Sequence, residues 1–330
     1  MINKEKAKKN YKIIQEISGL AQLSDIELIA VLYDLKPTMG ELVNFDKYNQ
    51  SFINKLNRVN ELCKKLGFKL GVSNCKFIVN SPRGIFEMVE MNDKRKGKIS
   101  LGVSKDMDKA LEGIDLYYKK TLDSKDSRKF GEVMGYPECC LDFGDYLCLN
   151  SRGDKKRDPD NFGFSNPAVE SLKRSKNFAW QLNVFSHSLL SHYPCSLECQ
   201  PSIKFVNDIL RILKVMDLER VRVTEQSLKE PASLYWTCAD KILLYGDFEG
   251  DFKNSEIKYH KSESQIESGS FYQENDERFL KNLKSVYGEI ERGDRLVMTP
   301  QYFEIYKDKR RIKKIKKENQ YIPVLVKPNR

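Results

Sequence analysis

From Lys4 to about Leu66 apolar residues recur at helical spacing, as at Ile26, Ile29, Leu32 and Leu35, then Leu42 and Phe45, then Phe52, Ile53, Leu56, Val59 and Leu62. That pattern predicts two or three helices. Gly67 reads as a helix stop, and Phe68 to Val79, Ile85 to Met91 and Lys98 to Val103 read as short strands of a small sheet. Ser104 is placed to cap a helix whose apolar face is Met107, Ala110, Leu111, Ile114 and Tyr117. Ser151 to Asn166 is polar, carries Gly153, Pro159 and Gly163, and reads as a long loop. Pro167 suits the start of a helix expected to run through Leu172, Phe178, Leu182, Phe185 and Leu189 to His192, and a further helix buries Ile203, Val206, Ile209, Leu210, Leu213 and Met216. After about Glu219 the pattern alternates, at Lys241 to Tyr245, Arg295 to Thr299, Tyr302 to Tyr306 and Ile322 to Val326, with a helix from about Asn275 to Tyr287 between them. The expected fold is α+β. Residues 1–217 form a domain with a small N-terminal sheet and a helical centre, and 218–330 form a smaller β-rich domain with a basic C-terminal hairpin.

At 330 residues and 40% hydrophobic content the chain can bury a sizeable core. Lys+Arg 57 against Asp+Glu 47 gives a net charge of +10, which favours RNA or another anionic substrate as a partner. The 32% of charged residues, with both signs interspersed, equally describes a plain solvated surface. The opening MINKEKAKKNYKIIQ has lysines but no apolar segment or cleavage site, and no later stretch approaches the length of a bilayer span. A cytoplasmic location without a membrane partner is therefore expected. The eight cysteines should then be reduced, and their even number is not an argument for disulfides.

Two short segments concentrate the chemistry: Gly135-Tyr136-Pro137-Glu138-Cys139-Cys140 and His192-Tyr193-Pro194-Cys195-Ser196-Leu197-Glu198-Cys199. A reduced chain gains little by placing cysteines beside prolines for packing alone, whereas rigid turns that aim thiolates serve a metal or redox site. Pro137 suits the first helical position, which puts Cys139 and Cys140 in a first turn where unpaired amides and the macrodipole favour thiolates, partly opposed by Glu138. Adjacent helical residues point about 100° apart, so one of these cysteines can ligate while the other packs. Cys148, between Leu147 and Leu149, reads as a core residue. Cys195 and Cys199 share a face if their turn is helical, and His192 can fold back to the same point. Cys139, Cys140, Cys195, Cys199 and His192 thus offer donors for a tetrahedral zinc ion or an iron-sulfur cluster. The plainer reading is buried thiols near helix starts. No CxxC knuckle is present, nor the CxxxCxxC pattern of radical enzymes that use S-adenosylmethionine.

The run Phe130 to Phe143, followed by His192 to Ser202, resembles a prokaryotic family catalogued as domain of unknown function 483, in which a GYPxCC element precedes an HxPCSxxC element. The resemblance covers roughly Ile99 to Met216. It implies that the two segments belong to one site, and it brings no reaction, because the family has none assigned.

Other candidates are weaker. Asn80 to Gly84 is a turn that could show Arg83 to an anion, and Ser270 to Asn275 carries no glycine-rich nucleotide loop beside it. His187 reads as a packing residue. The densest basic run includes Arg310, Arg311, Lys313, Lys314, Lys316 and Lys317, flanked by Tyr302, Phe303, Tyr306 and Tyr321. It is either a nucleic-acid contact or a solvated hairpin whose edge lysines discourage strand pairing. No phosphate loop, dinucleotide turn or HExxH helix occurs. The leading expectation is a metal-dependent or iron-sulfur enzyme acting on a nucleic-acid base or a cofactor precursor. Its rivals are a non-catalytic nucleic-acid-binding protein with structural zinc, and a metal-free thiol redox protein.

Overall fold

A computed structural model describes residues 3–45, 49–79, 86–119, 124–153, 167–186, 188–235, 240–251, 254–266, 284–316 and 324–328. The Arg83 turn, the 154–166 part of the expected loop, His187, Cys238, Ser270 to Asn275, Lys317 and Tyr321 lie outside these residues. The fold is mixed α+β, with one sheet of five strands and one of seven. No helix among the described residues is long and apolar enough to cross a membrane. The chain groups into two compact units, Met1–Phe164 with Gln200–Val221, and Ser165–Cys199 with Arg222–Arg330.

In the first unit α1 (Lys4–Ala21) starts where the Asn3 side chain accepts from Lys6 N, and α2 (Asp25–Leu32) starts where Ser24 accepts from Glu27 N. Such caps satisfy amides that have no partner within the helix. Then come β1 (Thr38–Phe45), α3 (Gln50–Lys65), β2 (Lys69–Val72), β3 (Cys75–Val79), β4 (Phe86–Glu90) and β5 (Gly97–Ser104). Strand β1 corrects the helical reading of Leu42 and Phe45. It pairs antiparallel with β5 along its whole length, from Thr38 opposite Ser104 to Phe45 opposite Gly97, a partner some sixty residues away that local spacing cannot reveal. Helix α4 (Met107–Lys119) lies on this sheet and is followed by α5 (Ser124–Val133) and α6 (Glu138–Gly153). The cap of α4 is shared: Ser104 Oγ accepts from Asp106 N, and Asp106 Oδ1 accepts from Asp108 N.

The expected helix from Pro167 to His192 is cut short. Helix α7 (Pro167–Lys173) has seven residues, and among the described residues from there to His192 only a 3₁₀ turn forms, at Trp180–Leu182. Phe178, Leu182, Phe185 and Leu189 are buried all the same. They come from an irregular segment that bonds to distant chain: Asn183 Nδ2 donates to Leu228 O and Ser186 Oγ to Ser227 O, and the Phe185 ring meets Tyr235 edge-on at 5.0 Å. Those contacts are why 165–199 groups with the second unit rather than with residues 1–217. Helices α8 (Gln200–Met216) and α9 (Leu218–Lys229) follow.

The larger sheet comprises β6 (Ala232–Tyr235), β7 (Asp240–Gly250), β8 (Ser255–Ile266), β9 (Arg295–Met298), β10 (Tyr302–Lys307), β11 (Arg310–Lys316) and β12 (Val324–Val326). Its order is β11-β10-β9-β8-β7-β6-β12, antiparallel throughout. Residues directly opposite in antiparallel strands share a face. Ile305, Leu296, Ile257 and Phe248 are opposite one another across four strands and face a core that includes Ile290 of α10, a helix at 284–292. Of the helix expected from Asn275 to Tyr287, the residues from 284 on are helical in α10, and those before 284 lie outside the described residues. Strand β8 went unforeseen because its outer positions, such as Glu256, Lys258 and His260, make it read as polar coil.

Candidate metal centre

Each residue of the Gly-Tyr-Pro step has a local cause. Helix α5 closes with Gly135 N donating to Glu132 O at 3.0 Å and Tyr136 N to Gly131 O at 2.9 Å, the paired bonds of a glycine-terminated helix. Gly135 is left-handed, with φ +74, and an added Cβ would stand 2.6 Å from Pro37 Cδ. The Tyr136 ring lies 5.3 Å from the Lys36 ammonium and meets Phe130 edge-on at 6.2 Å. Pro137 sits just ahead of α6, its carbonyl accepting from Cys140 N at 2.8 Å and Leu141 N at 3.0 Å. The chain therefore enters α6 at a fixed angle, with Cys139 and Cys140 in the first turn. Cys139 is exposed and Cys140 buried, and their sulfurs are 4.0 Å apart. Cys140 Sγ is also 3.6 Å from Ser202 Oγ.

The second segment is a braced turn rather than a helix. The Ser171 hydroxyl donates to Pro194 O, Leu197 N donates to Ser175 Oγ at 2.6 Å, and Ala179 N donates to Leu197 O at 2.9 Å. Glu198 accepts from Lys176 N and Asn177 Nδ2, both at 3.3 Å. Cys199 N bonds back to Ser196 O at 3.2 Å, and α8 begins at the next residue.

One ligand atom from each of Cys139, Cys140, Cys195 and Cys199 comes together, all within 4.8 Å of one another. Four sulfurs bound to one ion at about 2.3 Å stand about 3.8 Å apart at tetrahedral angles, so this group of cysteines could hold a metal ion. Both adjacent cysteines face the site, which their angular separation left open. His192 is not part of the group. The chain through Tyr193 and Pro194 has no helical turn to carry its imidazole round to Cys195. None of Cys63, Cys75, Cys139, Cys140, Cys195 and Cys199 forms a disulfide. Cys63 is away from the group, and burial pushes its thiol up to about 12.

Two residues near α6 went unforeseen. Arg128 binds Glu138 and is 2.9 Å from Asp142, 2.6 Å from Asp145 and 3.3 Å from Glu132. Ser202, the hydroxyl at Cys140, is visible in the sequence only as the residue after Pro201.

The basic run is placed elsewhere, on β11 at the sheet edge. Asp308 and Lys309, both left-handed at φ 47 and 70, form the two-residue turn that a twisted hairpin prefers. The cations divide by face. Arg311, Lys314 and Lys316 are opposite Tyr306, Glu304 and Tyr302, whereas Lys313 is opposite Ile305 of the core face, and Arg310 pairs with Lys307. Glu304 holds Arg311 at 3.0 Å and Lys314 at 3.2 Å, and the Lys314 ammonium lies 4.0 Å from the Tyr302 ring. The run is thus not one uniform patch. Searches against family models, curated proteins and solved structures found no match to the chain.

Proposed function

We propose that the four cysteines hold one tetrahedral metal ion, with zinc as the best fit to an all-sulfur donor set, and that this ion serves the fold of a protein that binds rather than catalyses. The observation that carries the reading is the mutual approach of all four ligand atoms within 4.8 Å. In an iron-sulfur cluster the four thiolates are divided among two or more irons with sulfide between them, and those on different irons stand further apart than ligands of one ion. Four protein thiolates also fill a tetrahedral ion, as structural zinc sites do, whereas catalytic zinc keeps a position open. This ranks the structural-zinc reading above the enzyme expected from the two motifs. Membership of the family with GYPxCC and HxPCSxxC elements is part of the same proposal, and the site is what its two elements would build.

The test is metal and sulfide analysis of anaerobically purified protein beside a Cys195→Ser, Cys199→Ser variant. One zinc per chain, absent from the variant and accompanied by a lower melting temperature, is the expected result. Iron with acid-labile sulfide, or a folded protein without metal, would sink the proposal. A second reading is favoured by the exposure of Cys139. If that sulfur yields its place to substrate, the ion becomes a Lewis acid toward a nucleic-acid base or cofactor precursor. Cobalt substitution separates the two, since charge-transfer intensity follows the number of bound thiolates and would read four for the structural site and three for the open one.

A further inference from the structure

We propose that the second unit binds single-stranded nucleic acid in a groove across the outer face of its seven-stranded sheet. The proposal shares with the preceding section the reading of this chain as a binding protein, and it does not need the metal ion. Outside the inward row of Ile305, Leu296, Ile257 and Phe248 lies the next lateral row: Arg311, Tyr306, Arg295, Lys258 and Asp247, one from each of β11, β10, β9, β8 and β7. A groove of about 1500 Å³ runs across this level. Lys309 of the β10–β11 turn lines one end, and Trp180, Lys229 and Lys327 line the other. Its strand residues come from β9, β8 and β7, two interstrand steps or about 10 Å, and the β10–β11 turn on one side and Lys229, Glu230 and Lys327 on the other extend it beyond them. That shape suits a segment of polymer.

The lining suits a polymer with both charge and rings. Cations recur along it, at Lys309, Arg295, Lys258, Lys327 and Lys229. Two of them lie on aromatic faces: the Lys229 ammonium is 4.0 Å from the ring centre of Trp180, which lines the groove, and the Arg295 guanidinium 4.0 Å from that of Tyr306 beside it, while Lys229 pairs with Glu225 at 2.7 Å and Arg295 with Glu256 at 3.4 Å. Unpaired bases stack on such rings and guanidinium planes, while phosphates meet the cations between them. Carboxylates interrupt the cations at Glu230, Asp247, Asp294 and Asp308. Asp294 is engaged within the protein, accepting from Asp308 N at 3.0 Å and pairing with Lys307 at 3.6 Å. Glu230 likewise accepts from Gln226 Nε2 at 2.8 Å. Together the carboxylates make the groove a poor site for an anion that has nothing to stack, and bases paired in a duplex would not reach the rings.

The floor is built for contact. The register of β7 and β8 shifts after Tyr245, which is opposite Lys261, to Gly246, which is opposite Tyr259, so that His260 is the extra residue of a bulge and stands exposed in the groove. Bulges re-aim side chains beside sites. This one requires Gly246, where a Cβ would stand 1.9 Å from Lys258 O, and the Gly246 carbonyl accepts from Lys327 Nζ at 3.0 Å.

Fluorescence anisotropy of labelled oligouridylate and oligoadenylate against the full chain, with its metal content measured, tests the proposal. Affinity should fall with salt, and a Lys258→Ala, Lys309→Ala variant should lose about 0.7 per lysine from the logarithmic salt slope. Arg295→Lys keeps the charge and loses the planar group, so it should bind about fivefold or more weakly at an unchanged slope. Circular dichroism confirms that each variant is folded. No binding at low salt, equal binding of polyglutamate, preference for a duplex of the same length, or folded variants that bind like the wild type would each overturn it. Oligonucleotide binding by a metal-free chain would keep this inference and remove the metal centre, and zinc without oligonucleotide binding would do the reverse.

Discussion

Lysine is used in opposite ways in the two units. In the first, Lys36 and Lys76 are 5% and 0% exposed. Lys36 pairs with Glu27 beneath the Tyr136 ring, and Lys76 donates to the carbonyls of Asp93 and Arg95 with the Phe45 ring 5.6 Å away. In the second, Lys229 and Lys314 lie over Trp180 and Tyr302 while pairing with Glu225 and Glu304 at the surface. A buried ammonium loses its hydration and must be given a full set of acceptors, whereas a surface lysine covers a ring with its stem and keeps its charge in water. The first arrangement fixes a structure. The second keeps a paired cation at the surface, in contact with water.

Removing one partner from each kind of pair is the sharpest way to break the comparison. Glu27→Ala strands the Lys36 charge and should cost about 3–5 kcal/mol in urea unfolding, against less than about 1 kcal/mol for Glu225→Ala at the surface pair. Equal losses would erase the distinction. The seat above Lys36 is the next target: Gly135→Ala forces a left-handed φ and pushes a methyl group into Pro37, at a cost of about 1–3 kcal/mol. It should lower zinc retention as well as melting temperature, because the same glycine sets the entry of α6. An unchanged metal affinity would uncouple the two.

The smallest effect concerns pH. Burial raises the Glu41 carboxyl above its ordinary 4.5, the nearby Glu27 charge adds to this, and the hydrogen bond from Ser24 N works the other way. Between the ordinary and the raised value the folded chain holds the proton more firmly than the unfolded one, so this group's contribution to stability falls as pH rises through that window. Glu41→Gln keeps an acceptor for Ser24. It should stabilise the protein at pH 7, with the gain fading by pH 4, and a pH-independent difference would argue against the assignment.

The metal-centre residues were legible to the extent that short-range chemistry determines them. Proline-bracketed cysteines in two segments marked the four residues that could hold a metal ion, because turn residues and thiols carry their meaning locally. His192 was drawn in by a helical turn that does not form. The helix expected through Phe178, Leu182 and Phe185 failed for a related reason: spacings of three and four residues also arise where an irregular chain buries alternate faces against remote partners. Strand β1 and the facing of β11 depend on register with distant strands. Spacing alone could not divide Lys314 from Lys313, nor show that Lys258 and Arg295 lie side by side.

The order of the ligands along the chain sets a schedule for any ion that all four hold. Cys139 and Cys140 leave the ribosome some fifty-five residues before Cys195 and Cys199. At roughly 5–20 residues per second the early pair waits about 3–11 s for the late one. During that interval two neighbouring thiols must share whatever ion they meet with the solvent and with other carriers. Completion of the site is therefore a late event in synthesis, tied to the appearance of the turn before α8.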